Sequence, residues 1–339
     1  MTLHCKVAQN RLMGLLPMCL LLAGLLLPSQ LVRSDPPIRA LLLTSPGVYH
    51  NYQYQTRVMT QGIARHANVR FDISVAQLER WKSTDYAADY DVLIYNICMA
   101  DNTDAALIQN IRRQTEALGT PALVIHCSMH SFRETDLWWP LYGLKTVAHE
   151  HLRPLPQQHH GEHPILTGIP TDWTPTEDEL YINIAFDAEP LLMSAGEDGK
   201  GHTTTWLKQQ GDTLVFGTTL GHSDSTLEDP AFTRLLANAI LYLTDSMDAT
   251  GKPKTGVTPS GDPAKSIDSI DAPDGVKFLG EEGQTCVMRQ FAKAVGPCYL
   301  GCILHPLKWG EEAVACKKSC EGKLPSSDGV IARCTPAED

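Results

Sequence analysis

The sequence predicts a doubly wound α/β domain, with a parallel sheet covered by helices on both faces. Three observations carry this expectation. Runs such as IRALLLT at 38–44, DVLIYNI at 91–97 and ALVIH at 122–126 are apolar at nearly every position, the pattern of strands buried on both faces. Amphipathic segments of helical length alternate with these runs. Polar, titratable residues gather just after the strands, where ligands sit in open α/β sheets.

Each element follows in order. The first strand starts near Ile38 and ends before Ser45-Pro46-Gly47. A helix is expected over 53–66, a strand over 69–75, the strand at 91–97, an amphipathic helix over 104–118 and the strand at 122–126. Further strands are expected at 189–193, 203–207 and 213–219, the last after a Gly211-Asp212 turn. A closing helix over 230–244 opens with Pro230, which suits the first helical position because its missing N–H is not needed there. The domain so defined spans 35–247.

The flanks read differently. Lys6 and Arg11 precede an apolar run over 12–27. A positive start, a short apolar stretch and a following small residue make 1–34 a secretory signal, with cleavage after Ser29 or Ser34. The run is shorter than the roughly 20 residues a spanning helix needs, so the mature chain is expected to be secreted or periplasmic, with no membrane span. Residues 248–277 are rich in Gly, Pro, Ser, Thr, Asp and Lys, which predicts a disordered linker. Six of the ten cysteines crowd the remaining 278–339 segment, as in a disulfide framework. Two Cys-x3-Cys pairs at helical spacing favour a stapled helical hairpin, paired Cys298–Cys320 and Cys302–Cys316 with Cys286–Cys334 closing the ends. Six cysteines allow 15 connectivities, and this is the geometrically favoured one. Such a module suits docking to a macromolecular partner.

Composition limits function. A formal net charge of -11 and the lack of a long basic run argue against a nucleic-acid partner. No Gly-rich dinucleotide or Walker pattern follows a strand, so no organic cofactor is expected. What does follow the strands is His50-Asn51, then Asn96, then His126-Cys127-Ser128-Met129-His130 with Arg133, and then Gly221-His222-Ser223-Asp224 with Glu228. Four segments thus bring titratable groups to one edge of the sheet.

Those segments, together with HPILTGIP, DELY and FGTTLGHSDSTLEDPAF, resemble the ThuA-like, or trehalose-utilisation, family over residues 38–245. The resemblance implies a flavodoxin-like, class I glutamine amidotransferase-like fold. It also implies a pocket for a trehalose-type disaccharide or 3-keto-glycoside, formed by His50, His126, His130, Arg133, Glu179, Tyr181 and His222. A carbonyl at sugar C3 acidifies the hydrogen at C2, so a neutral histidine suits its removal and a second can protonate the departing oxygen. His126, His130 and His222 are the expected acid–base groups, Arg133 the electrophile and Glu179 an orienting or further acid–base group. His50, Asn51, Asn96, Tyr181, Asp224 and Glu228 are expected to bind substrate.

Other readings stay open. Seven of the thirteen histidines lie between His126 and His163, which invites a divalent metal, although His149-Glu150-His151 and His159-His160 carry no recognised zinc spacing and sit in loop-like sequence. Cys127 stands where related amidotransferases hold a nucleophile, and His222-x-Asp224 could complete a cysteine-dependent amidohydrolase; the flanking glycines of a nucleophile elbow are missing. Trp138-Trp139 is either a sugar-stacking platform or packed core. A carbohydrate-binding or surface-interaction protein without catalysis is the remaining class.

Overall fold

The computed structural model describes residues 36–45 and 50–272. The expected leader over 1–34 and the six-cysteine module, with its three expected pairings, lie outside the described residues.

Five parallel strands make the expected frame: β1 (Ile38–Thr44), β2 (Val69–Val75), β3 (Val92–Asn96), β4 (Ala122–Ile125) and β10 (Thr213–Thr218). Their order, β2-β1-β3-β4-β10, reverses direction between β1 and β3, the switch point at which such sheets open a crevice. Beyond β10 the sheet turns antiparallel through β9 (Gly201–Gln210), β8 (Glu189–Ala195) and the short β6 (Gln158–His159).

Strand periodicity explains the two-layer cover. Ala40 and Leu42 face α1 (Tyr52–Ala64) and α5 (Pro230–Leu243), whose Met59, Ile63, Phe232, Leu236 and Ile240 complete one core. Leu41 and Leu43 point to the other face, with Trp81 from α2 (Leu78–Trp81) and Leu107, Ile108 and Ile111 from α3 (Ala105–Glu116). Each such leucine is wholly buried, contributing about 1.5–3 kcal/mol. The helix starts are set by side-chain caps. Asp104 accepts from the N–H groups of Ala106 and Leu107, and Asp229, just before Pro230, accepts from Ala231.

Three expectations are corrected. Residues 248–272, assigned to a linker, return to the domain and end in β11 (Ile267–Asp271), which adds in parallel to β2 at the sheet edge. Apolar content missed it because an edge strand can be held by ladder hydrogen bonds and ion pairs. Arg70 pairs with Asp268, Arg80 meets Asp271 at 2.7 Å and the Phe71 N–H donates to Ser266 O. The second correction concerns the middle of the chain. The loop-like text around His149 contains β5 (Leu144–His149), paired antiparallel with β7 (Tyr181–Phe186) in a second sheet. Third, Trp138 is a wholly buried core residue and donates its indole N–H to Ser128 O at 2.7 Å. That rules it out as a stacking platform.

Candidate active site

The ends of β1, β4 and β10, braced by the end of β3, and the small second sheet build the site. Directly after β4, His126 takes a left-handed backbone, φ +46°, a conformation that costs a non-glycine residue about 1–2 kcal/mol. A 3₁₀ turn over His126–His130 follows. Ser128, and Ser131 just past the turn, sew it to the end of β3 and the residues after it: Ser128 Oγ donates to Tyr95 O and accepts from the Ile97 N–H, and Ser131 Oγ accepts from the Met99 N–H. Cys127 is disulfide-bonded to Cys98. With these residues tied down, His126 and His130 are left to face Tyr181. His130 stacks on Tyr181 at 4.2 Å and His126 lies 5.0 Å from the same ring.

His126 has a defined tautomer. Its Nδ1 is 2.7 Å from Thr219 O, and a carbonyl can only accept, so the ring proton sits on Nδ1. Nε2 therefore offers a lone pair, toward which the Tyr181 hydroxyl donates at 3.3 Å. His50, following β1, packs edge-on against both His126 (4.9 Å) and His222 (4.8 Å), closing a triangle of imidazoles.

Glu179 is the hub. Its Oε2 lies 3.3 Å from His222 Nδ1 and 3.7 Å from His126 Nε2, and its Oε1 lies 3.3 Å from His149 Nδ1. The residue before it, Asp178, is fully buried and accepts the backbone N–H groups of Glu179, Gly221 and His222. One carboxylate thus fixes both chain segments that carry the Glu179–His222 pair. On the outer side, Gln55 of α1 donates to His222 O and to Asp224 Oδ1, each at 3.0 Å, and Asn51 reaches Asp224 Oδ2.

The electrostatics follow from this geometry. Burial would raise the Glu179 carboxyl, yet the neighbouring His149, His222 and His126 hold it well below the usual carboxylate range. Burial is the largest single influence on His222 and lowers it, but the hydrogen bond and charge of Glu179, with the charges of Asp178 and Glu177, together hold it above the ordinary histidine value. His50 is pushed down to about 3, chiefly by burial and then by His222. His126 is pushed well down by burial, with His50 and His222 adding to it. Near neutral pH the site therefore holds an ionised Glu179, two neutral imidazoles on the inside and His222 poised to carry a proton. Burial also pushes Asp178 up to about 6, against its backbone donors.

The expected residues do not all converge. His50, His126, His130, Glu179, Tyr181 and His222 come together, and Asn51 and Asp224 meet on the α1 side. Asn96 is buried at the end of β3. Glu228 accepts from the Tyr54 hydroxyl on an exposed surface. Arg133 pairs with Asp101 at 3.8 Å and lines a small cavity with Phe132, Trp138 and Lys145, a cavity whose walls include none of the pocket histidines. The cysteine-dependent alternative loses its nucleophile in this structure, because the Cys127 sulfur is bonded to Cys98. Asp178, the backbone anchor, and His149, the third imidazole at Glu179, carry no sequence signal that marks them for the site. DELY presents two adjacent acids, both buried, and nothing local distinguishes the one that anchors the backbone from the one that meets the histidines.

Comparison with known proteins agrees with this fold. Residues 39–243, more than half of the chain, match the family model ThuA, described as trehalose utilisation. The chain belongs to the ThuA family. Two solved structures share the fold. A ThuA-like protein from Parabacteroides merdae has 15% identity and a TM-score of 0.51, covering 68% of this chain and 99% of its own. One from Bacteroides uniformis has 17% identity and a TM-score of 0.52, covering 67% and 98%. No curated protein matches.

Proposed function

We propose that this protein is an exported enzyme that cleaves a keto-glycoside or a trehalose-type disaccharide by proton transfer in the Glu179 pocket. The observation that carries the reading is one buried carboxylate shared by three imidazoles at the carboxyl edge of a ThuA-family sheet. Family membership supports the carbohydrate class at the level of trehalose utilisation. The Cys98–Cys127 disulfide supports an oxidising compartment.

The chemistry is a balanced elimination and hydration. The C2–H bond breaks as its proton passes to the ionised Glu179 carboxylate, whose Oε1 faces His149 Nδ1. The electron pair left at C2 forms the C1=C2 bond, the C1–O bond breaks, and the departing oxygen takes up the proton that Glu179 removed. Water then adds across C1 and C2, so the sum is hydrolysis without a redox partner. His126 was expected to move the proton, but its Nδ1 is committed to Thr219 and its ring is enclosed. In this reading it positions rather than titrates.

The test is mass spectrometry of products from matched glycosides and 3-keto-glycosides. Cleavage confined to the keto forms is expected. Saturable binding with no product from any of them would contradict the reading and favour a binding protein.

A further inference from the structure

The proposed reaction leaves the buried imidazoles of His50 and His126 without a chemical task and the developing C3 oxyanion without a cation, since Arg133 is engaged with Asp101. We propose that His50, His126 and His222 together bind one divalent transition-metal ion. Their candidate ligand atoms lie within 4.8 Å of one another. Nitrogens about 2.0–2.1 Å from a shared ion stand up to ~4 Å apart, so small side-chain rotations close the set.

Several independent features suit a metal. The three ligands follow three different strands, β1, β4 and β10, so a rigid sheet fixes their spacing. The hydrogen bond from His126 Nδ1 to Thr219 O leaves Nε2 as the ligating atom, which is how outer partners commonly orient metal-bound histidine. His222 directs Nδ1 at the Glu179 carboxylate, the same outer-partner arrangement, which leaves its Nε2 for the ion. Three imidazole nitrogens and no thiolate suit zinc, nickel or copper rather than magnesium or calcium, and binding the ion displaces any second proton on His222. A second cluster, His50 with Cys98 and Cys127, is also close, but its two sulfurs are bonded to each other and offer no thiolate. A three-histidine site keeps a coordination position open for a substrate oxygen. Placing the C3 oxygen there rests on the reaction proposed above; the binding of the ion does not.

The experiment uses full-length protein without a histidine tag, stripped with chelator and then titrated with Zn²⁺ by calorimetry and with Co²⁺ by visible absorption. One ion per chain is expected, with a Co²⁺ spectrum of nitrogen ligation that lacks the near-ultraviolet thiolate band. H126Q and H222Q should each weaken Zn²⁺ binding at least about tenfold, while H163Q, whose ring packs on Tyr242, leaves it unchanged. Circular dichroism identifies a variant that fails to fold, and the partly exposed His222 makes H222Q the decisive variant if H126Q does so. No saturable binding by the wild type, a thiolate-type spectrum, or unchanged affinity in folded H222Q would overturn the proposal. All of these are read without substrate. A protein that binds Zn²⁺ but leaves keto-glycosides intact would contradict the proposed reaction and leave the metal site standing.

Discussion

The buried carboxylate of Asp178 accepts the backbone N–H of His222 at 3.1 Å. It accepts that of Gly221 at 2.8 Å as well. These bonds place His222 against Glu179, the neighbour of Asp178 in the chain, so one buried acid sets the geometry of the pair beside it. Asp178→Asn replaces an acceptor oxygen with an N–H₂ that faces backbone donors. A loss of about 1–3 kcal/mol in stability is expected, read as a lower urea midpoint, together with reduced turnover. An unchanged midpoint would show that the loop is held by other contacts.

Gly221 has φ +118°, and a Cβ there would meet Ile125 Cγ2 and Leu227 Cδ2 at an ordinary 3.5 Å. Space is therefore not the constraint; the backbone conformation is. Gly221→Ala should cost about 1–3 kcal/mol and displace the adjacent His222. Thermal melting checks this, and an unaltered melt would contradict it.

The Cys98–Cys127 crosslink spans 29 residues. Loop-closure entropy gives it about 3–4 kcal/mol of stabilisation. Cys127→Ser should therefore melt lower yet retain catalysis, because the thiol has no chemical part. Loss of turnover in a folded Cys127→Ser protein would return the cysteine nucleophile to contention.

Residues Ile267–Asp271 pair with β2, so their amides should resist hydrogen exchange, unlike those of a solvated linker. Exchange by mass spectrometry on peptides covering β11 tests this. Complete labelling at the earliest time point would show that the strand is not held in solution.

How much of this was legible in the sequence depended on burial. β1, β3 and β4 were readable because both faces of each strand are covered, so nearly every residue is apolar. β11 was unreadable because backbone pairing and the Arg70–Asp268 and Arg80–Asp271 contacts need no apolar residue. β5 and β7 were obscured by a partly exposed, mixed composition, and His149 went with them. His50, His126 and His222 were legible because each follows a strand. The Cys98–Cys127 pair needed the strand register: Tyr95 faces Val124, and each cysteine lies three residues further along its own chain segment. Asp178 and Glu179 differ only in what the fold packs around them, so no local signal separates the anchor from the hub.

The most direct test of the proposed chemistry is the fate of the hydrogen at C2. A 3-keto-glycoside turned over in D₂O should release a 3-keto sugar that carries deuterium at C2, seen by NMR at early times against an enzyme-free control. Glu179→Gln should remove both release and labelling. Product that forms at the wild-type rate and keeps its original C2 hydrogen would mean direct displacement at C1 and would contradict proton abstraction by Glu179.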